Sequence, residues 1–283
     1  MNPAQATHAS TALRDPADTR WVEIAWGQRT VRIEHQWIEP QRTQRPLMVF
    51  LHEGLGSCSM WRGFPQRLCE ALDLRGLVYS RPGYGQSTPR APDERWAPDF
   101  MHRQALEVLP ALLAALGVDD AQDPPWLFGH SDGGSIALLR AAHAPARVGG
   151  VVALAPHIVV EAVSVTSIRK ARAAYENAAP GNLRERLARH HDNPDSAFYG
   201  WNDIWLDAAF RDWSIEDELS TITCPLLALQ GLDDEYGSLA QIHGITRRVP
   251  QARLVEIPQC GHSPHRDQPE AVVEAVRNQL LLT

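Results

Sequence analysis

Six continuous apolar runs recur along the chain: PLMVFL (46–51), GLVYS (76–80), PWLFG (125–129), VGGVVAL (148–154), CPLLALQ (224–230) and ARLVEIP (252–258). Short runs without polar alternation predict central strands covered on both faces. Ahead of them, WVEIAW and TVRIEHQWI (21–38) alternate imperfectly about Gly27-Gln28, which predicts a hairpin. Between the runs lie helical patterns. Residues 60–72 predict a helix once past Pro65, and residues 98–117 place Leu106, Leu109, Leu113 and Leu116 at helical spacing, with Gly117 as the stop. Pro110 conflicts with an unbroken helix there and predicts a kink or a second start. Residues 132–144, 236–249 and 267–282 also read as helices. The alternation predicts an α/β fold: a mostly parallel eight-stranded sheet flanked by helices.

One stretch breaks this rhythm. From Pro156 to about Thr223 no strong strand pattern appears, and Phe198, Tyr199, Trp201, Trp205, Phe210 and Trp213 cluster there. The stretch is too long for an ordinary connection between helix and strand. It predicts a helical cap (156–223) inserted into a core made of residues 21–155 and 224–283. Residues 1–20 contain no apolar block and are expected to form a disordered tail rather than a signal peptide.

Composition narrows the function classes. A length of 283 residues, 44% hydrophobic and 22% charged, suits a globular protein with a large core. The net charge of -7, with no basic stripe, argues against a nucleic-acid partner. No run approaches 18 apolar residues, so no membrane span is expected. Cys58, Cys69, Cys224 and Cys260 lack metal-site or CxxC spacing and are expected as reduced thiols in a cytoplasmic protein. A homodimer is plausible only on the general frequency of symmetric oligomers.

The chemistry concentrates in FGHSDGG (128–134), which follows one predicted strand and opens a helix. A G-x-S-x-G sequence in that context is a nucleophile elbow: the tight turn exposes the Ser131 hydroxyl, and the helix N-terminus presents the Asp132 N–H to developing negative charge. A serine needs a base. His262, in PQCGHSPH (258–265) after the last strand, is the preferred candidate among 12 histidines, with His265 as its rival. QGLDDEYG (230–237) offers Asp233, Asp234 and Glu235 to orient that base. LHEGLGS (51–57) would supply a second oxyanion donor at the C-terminal edge of its strand.

On LHEGLGS, YSRPGYGQS (79–87), GHSDGG, QGLDDE and CGHSPH, the chain resembles the α/β-hydrolase superfamily over residues 20–282. The resemblance implies Ser131 as nucleophile, Asp234 as the acid by its distance from Gly231, and His262 as the base. It implies backbone N–H groups of Asp132 and Gly54 as the oxyanion hole, with Leu55 as the fallback donor. Two departures stand out: His52-Glu53-Gly54 replaces the usual HG or HGG, and the motif at 79–87 lacks its leading acid. Glu53 is expected to face a loop partner, or else to shape substrate choice.

The implied activity is hydrolysis of a small, partly apolar carboxylic ester through an acyl-enzyme, with no metal and no organic cofactor. The alternative is hydrolysis of a carbon–carbon bond in aromatic ring-fission products. A lactonase, thioesterase or perhydrolase would use the same triad. The carbon–carbon alternative calls for an arginine at the substrate carboxylate, from Arg169, Arg172, Arg184, Arg186 or Arg189. A binding protein that has lost catalysis would lack a triad member, and every residue type is present. Candidate pocket residues are Glu53, Leu55, Trp61, His130, His157, Trp201 and Trp205.

Overall fold

The computed structural model describes residues 19–282. The expected tail therefore lies almost wholly outside the described residues. Eight strands form one sheet: β1 (Arg20–Trp26), β2 (Arg29–Ile38), β3 (Leu47–Leu51), β4 (Arg75–Tyr79), β5 (Trp126–His130), β6 (Gly150–Leu154), β7 (Leu226–Gly231) and β8 (Arg253–Ile257). Their order is β1-β2-β4-β3-β5-β6-β7-β8. The β1–β2 hairpin pairs antiparallel and joins β4 antiparallel, while every pair from β4 to β8 is parallel.

The apolar runs explain this sheet. Successive side chains of a strand point to opposite faces, and here both faces are covered. Val49, Leu51, Leu127, Val151, Ala153, Leu226 and Ala228 enter one core layer. Met48, Phe50, Phe128, Val152, Leu154, Leu227 and Leu229 enter the other. The second layer is closed by α1 (Phe64–Leu72), whose Pro65 occupies the first turn, where a missing N–H costs nothing.

The helical stretch at 98–117 divides. It begins as α2 (Phe100–Arg103), widens into a π turn over Gln104–Val108, and resumes as α3 (Leu109–Ala115). Pro110 has no N–H and its ring crowds the carbonyl four residues back, so the ladder widens just before it. The extra residue shifts the apolar register. Leu109, Leu112 and Leu113 are buried, whereas Leu106, expected on the buried face, is exposed.

The remaining helices are α4 (Asp132–His143), α5 (Ala162–Glu176), α6 (Leu183–Leu187), α7 (Pro194–Leu206), α8 (Ala240–Arg248), α9 (Pro264–Asp267) and α10 (Pro269–Leu280). Helices α5 to α7 all lie between β6 and β7, in the stretch expected to be helical. Its described residues form no strand beyond a single bridge, Val159 to Ser214. No helix among the described residues is long and apolar enough to cross a membrane.

The topology fixes where chemistry can occur. From β3 the chain moves to β4 on one side and returns through β5 on the other, so the direction of winding reverses between β3 and β5. Crevices form at the C-terminal ends of strands at such a reversal. The loops after β3 and β5 meet there.

Candidate active site

Ser131 stands between β5 and α4 with φ 53° and ψ -121°, a left-handed conformation that non-glycine residues avoid. Its neighbours make the turn possible. A Cβ on Gly129 would lie 2.1 Å from the Gly133 carbonyl oxygen, and one on Gly133 would lie 2.0 Å from that of Leu51. Larger residues would push the elbow away from β3. The Ser131 N–H is anchored by the Leu154 carbonyl at 2.8 Å. The Asp132 N–H, at the start of α4, meets no protein acceptor among the described residues.

Two loops converge on the serine. His262, after β8, places Nε2 2.9 Å from Ser131 Oγ. Its Nδ1 lies 2.8 Å and 3.0 Å from the two oxygens of Asp234, after β7. An ionised carboxylate only accepts, so Nδ1 carries the proton and Nε2 is left to accept from the serine hydroxyl. The acid is itself held: Asp234 Oδ1 accepts from the N–H of Tyr236 at 2.8 Å and Oδ2 accepts from Gln230 Nε2 at 3.1 Å. Burial would raise its carboxyl, but the His262 contact prevails and holds it below the ordinary carboxylate range. Asp233 is exposed, and its backbone N–H instead ties the loop to the Cys260 carbonyl. His265, the rival base, is buried against Trp61 and Phe64. Burial lowers its imidazole well below the usual value.

The loop after β3 is fixed through one carbonyl. The Glu53 oxygen accepts from His52 Nδ1 at 2.7 Å, Arg81 Nη2 at 2.8 Å and the Gly56 N–H at 3.1 Å. In a trans peptide the C=O and the next N–H point in opposite directions. Pinning the Glu53 carbonyl therefore turns the Gly54 N–H to the opposite side of the loop, and Gly54 shares the cavity wall with Ser131. His52 serves as a donor here because its Nε2 accepts from the Arg81 N–H at 3.0 Å and burial keeps the ring neutral. At Gly54 a Cβ would fall 2.1 Å from Nε1 of Trp201, so the absent side chain lets the indole of α7 rest on the loop.

The Glu53 side chain faces His130 rather than solvent, with Oε2 3.6 Å from His130 Nδ1. Burial pushes its carboxyl up, but His130, helped by His52 and His265, holds it below the ordinary range. His130 Nε2 in turn donates to the His262 carbonyl at 2.6 Å. The loops after β3, β5 and β8 are thus cross-braced.

These groups line one cavity of about 160 Å³. Of the expected pocket residues, Glu53, Leu55, His130, His157, Trp201 and Trp205 lie on its wall, together with Gly54, Ser131, Asp132 and His262. Trp61 does not. Its short 3-10 turn directs the indole into the core layer with Phe50 and Phe128. Sequence reasoning missed Ile168, Tyr236 and Ser263 as wall residues and treated Glu235 only as a candidate acid. Nothing in their local pattern marks them. His157 is held neutral, burial lowering it to about 3. None of the five candidate arginines reaches the wall; Arg172 pairs with Glu176 and Asp203, and Arg184 with Asp195.

A model of the alpha/beta hydrolase family matches residues 48–275. The chain belongs to that family. Across 212 residues, 69% of this chain and 67% of the relative, it is 30% identical to the human monoglyceride lipase. It is 25% identical to the pimeloyl-[acyl-carrier protein] methyl ester esterase of Vibrio campbellii over 265 residues, 83% of this chain and 94% of that one. Among solved structures, the enol-lactonase of Burkholderia xenovorans superposes with a TM-score of 0.68 at 20% identity, covering 92% of this chain and 99% of the other. This last likeness concerns the fold.

Within this hydrolase, the Asp132 side chain is anomalous. It is fully buried, and both carboxyl oxygens lack a hydrogen-bond partner. Burial, partly offset by Arg81 and Trp205, pushes its pKa up to about 6. A carboxyl raised above its unfolded value destabilises the fold only where the unfolded chain would be ionised. The penalty is absent below pH ~4, grows between ~4 and ~6, and is complete above, at about 3 kcal/mol. Asp132→Asn is therefore expected to raise the unfolding free energy at pH 8 by up to ~3 kcal/mol and by little near pH 4. Denaturant titrations of both proteins at the two pH values check this. An equal effect at both would remove the electrostatic explanation.

Proposed function

We propose that the protein is a serine hydrolase of small carboxylic esters, acting through an acyl-enzyme. The observation that carries this reading is the unbroken line Asp234 carboxylate, His262 Nδ1, His262 Nε2, Ser131 Oγ, with every step at 2.8–2.9 Å. Ser131 Oγ attacks the ester carbonyl carbon as its proton passes to His262 Nε2. Negative charge forms on the carbonyl oxygen, between the N–H groups of Gly54 and Asp132. Each such donor is worth ~3 kcal/mol at the transition state. The carbon–oxygen bond to the alcohol breaks, and His262 returns its proton to the departing alkoxide. A water molecule then gives a proton to His262 and its oxygen to the acyl carbon. The acid leaves, and Ser131 recovers its hydrogen.

The relatives' names agree with ester chemistry. The cavity walls favour it over cleavage of anionic ring-fission products. Such substrates carry a carboxylate, yet Glu53, Asp132 and Glu235 line the cavity and no arginine or lysine does. In this reading α5 and α7 act as a cap, since Ile168, Trp201 and Trp205 reach the wall from them.

A fluorophosphonate probe tests the proposal. One covalent adduct at Ser131, located by mass, is expected. His262→Ala is expected to slow its formation by at least ~10³-fold, because the hydroxyl loses its base. A folded protein that takes no adduct at Ser131 would sink the proposal.

A further inference from the structure

Away from the cavity, three side chains from three separate elements converge on one point. His102 lies in α2, His143 is the last residue of α4, and Glu218 opens the short 3-10 turn Glu218–Thr221, shortly before β7. Glu218 is 116 positions from His102 and 75 from His143, so only the fold brings them together. His102 Nε2 stands 3.0 Å and 3.2 Å from the two carboxylate oxygens, and His143 Nε2 stands 2.5 Å from the second. Each residue offers one ligand atom, and these three atoms all lie within 4.8 Å of one another. The two imidazole planes are steeply inclined, at 74°, with centroids 6.2 Å apart.

This group is not an ordinary surface ion pair. Among the described residues, Glu218 pairs with imidazoles alone and with no arginine or lysine. Burial pushes its carboxyl up, but His143 and His102 hold it below the ordinary range. Above pH ~6.5 an ordinary imidazole is mostly neutral and offers a lone pair on one nitrogen. Two such nitrogens and one carboxylate are the donor set of a borderline divalent ion, Zn²⁺ above all. Ca²⁺ and Mg²⁺ take oxygen ligands and do not match it. A tetrahedral ion with bonds of ~2.1 Å holds its donors ~3.4 Å apart, close to the separations found here. The His143 side chain is 41% exposed, so it has room to turn as an ion enters, and a fourth ligand can come from solvent. The net charge of -7 favours cations near the surface. One feature sets the strength. His102 Nδ1 is buried without an acceptor. A ligating imidazole normally donates from its other nitrogen, and lacking that partner costs ~10–100-fold in affinity. The expected affinity is therefore micromolar rather than nanomolar.

We propose that His102 Nε2, His143 Nε2 and the Glu218 carboxylate bind one Zn²⁺, with water as the fourth ligand. Each ring binds as a neutral imidazole and keeps its proton on Nδ1. The ion ties α2 and the end of α4 to the turn that precedes β7. Ser131 and His143 stand at opposite ends of α4, whose 12 residues span ~18 Å at the rise of an α-helix. The ion is thus remote from the nucleophile, takes no part in ester chemistry and acts on stability.

Competition between the untagged, metal-free full chain and a chromophoric chelator for Zn²⁺ at pH 7.5 tests this. One ion per chain is expected, with a micromolar Kd. His143→Ala and Glu218→Gln are each expected to weaken binding at least ~10-fold. His243→Ala, at a surface histidine paired with Glu256 alone, should leave it unchanged. With Zn²⁺ at about a hundredfold above Kd, Tm is expected to rise by several degrees in the wild type and in His243→Ala, and to stay nearly constant in the other two variants. Binding should weaken at pH ~5.5, where protons compete for both rings. The proposal is overturned if the chain does not compete up to ~1 mM Zn²⁺, or if binding and the rise in Tm persist unchanged in both His143→Ala and Glu218→Gln. None of these readouts uses turnover, so the result is independent of the hydrolase reading.

Discussion

Replacing Ser131 by alanine is expected to lower kcat by ~10⁵–10⁶ while leaving KM within a few-fold. The reason lies in what the substitution keeps. Alanine retains the Cβ, so the strained backbone at φ 53° and ψ -121° is unrelieved and the elbow stays where Gly129 and Gly133 place it. The cavity wall, the Gly54 and Asp132 N–H groups and the His262–Asp234 pair are untouched, and substrate binding should persist. Only Ser131 Oγ, 2.9 Å from His262 Nε2, is lost. What remains is oxyanion stabilisation of direct attack by water, worth ~10³–10⁴ over solution. Ser131→Gly separates the two properties of this position. It should be equally inactive, yet more stable by ~1–3 kcal/mol less the entropic penalty of glycine, because the left-handed strain is released. Initial rates on a 4-nitrophenyl ester and a denaturation curve for each variant suffice. An alanine variant within tenfold of wild type would refute the nucleophile assignment.

The parts of this arrangement that could be read from sequence are those with a local signature. Strands β3, β5, β6 and β7 are wholly buried and appear as uninterrupted apolar runs. Edge strand β8 was read from the same kind of run, ARLVEIP, although it is half exposed and carries Arg253 and Glu256 among its apolar residues. The elbow announces itself through glycines that backbone contact demands. His262 was legible as a residue just past a strand end, and the resemblance singled out Asp234 among the acids past another, although their meeting with a serine 131 positions from the histidine is a property of the sheet order. What could not be read is contact between loops. Arg81 and His52 lie 29 residues apart and jointly hold the Glu53 carbonyl, a relation with no periodicity. Trp61 and Trp201 are equally aromatic in sequence. The course of the chain sends one into the core and lays the other on Gly54. The π turn before Pro110 was anticipated as a break, but its one-residue shift, which exposes Leu106, depends on how the helix repairs its hydrogen bonds.

The choice between two adjacent aspartates yields the second large effect. Asp234→Asn is expected to reduce kcat by ~10⁴, whereas Asp233→Asn should change it less than twofold. Both residues follow β7, and only the local turn separates them. Asp234 has 2% side-chain exposure and accepts from His262, Tyr236 and Gln230, while Asp233 is exposed to solvent. In the asparagine variant, the side-chain amide nitrogen can turn toward the His262 ring as a donor. The imidazole then accepts at Nδ1, carries its proton on Nε2, and presents N–H to the serine hydroxyl where a lone pair is required. Geometry survives but the tautomer is wrong, so KM should stay near its original value while kcat falls. The defect should also ease at high pH, since attack no longer needs the histidine once hydroxide can deprotonate the serine. A kcat–pH profile from 6 to 10 distinguishes this from a packing defect, which would depress the whole curve equally. Equal losses in the two variants would mean that Asp234 supports the loop rather than the base.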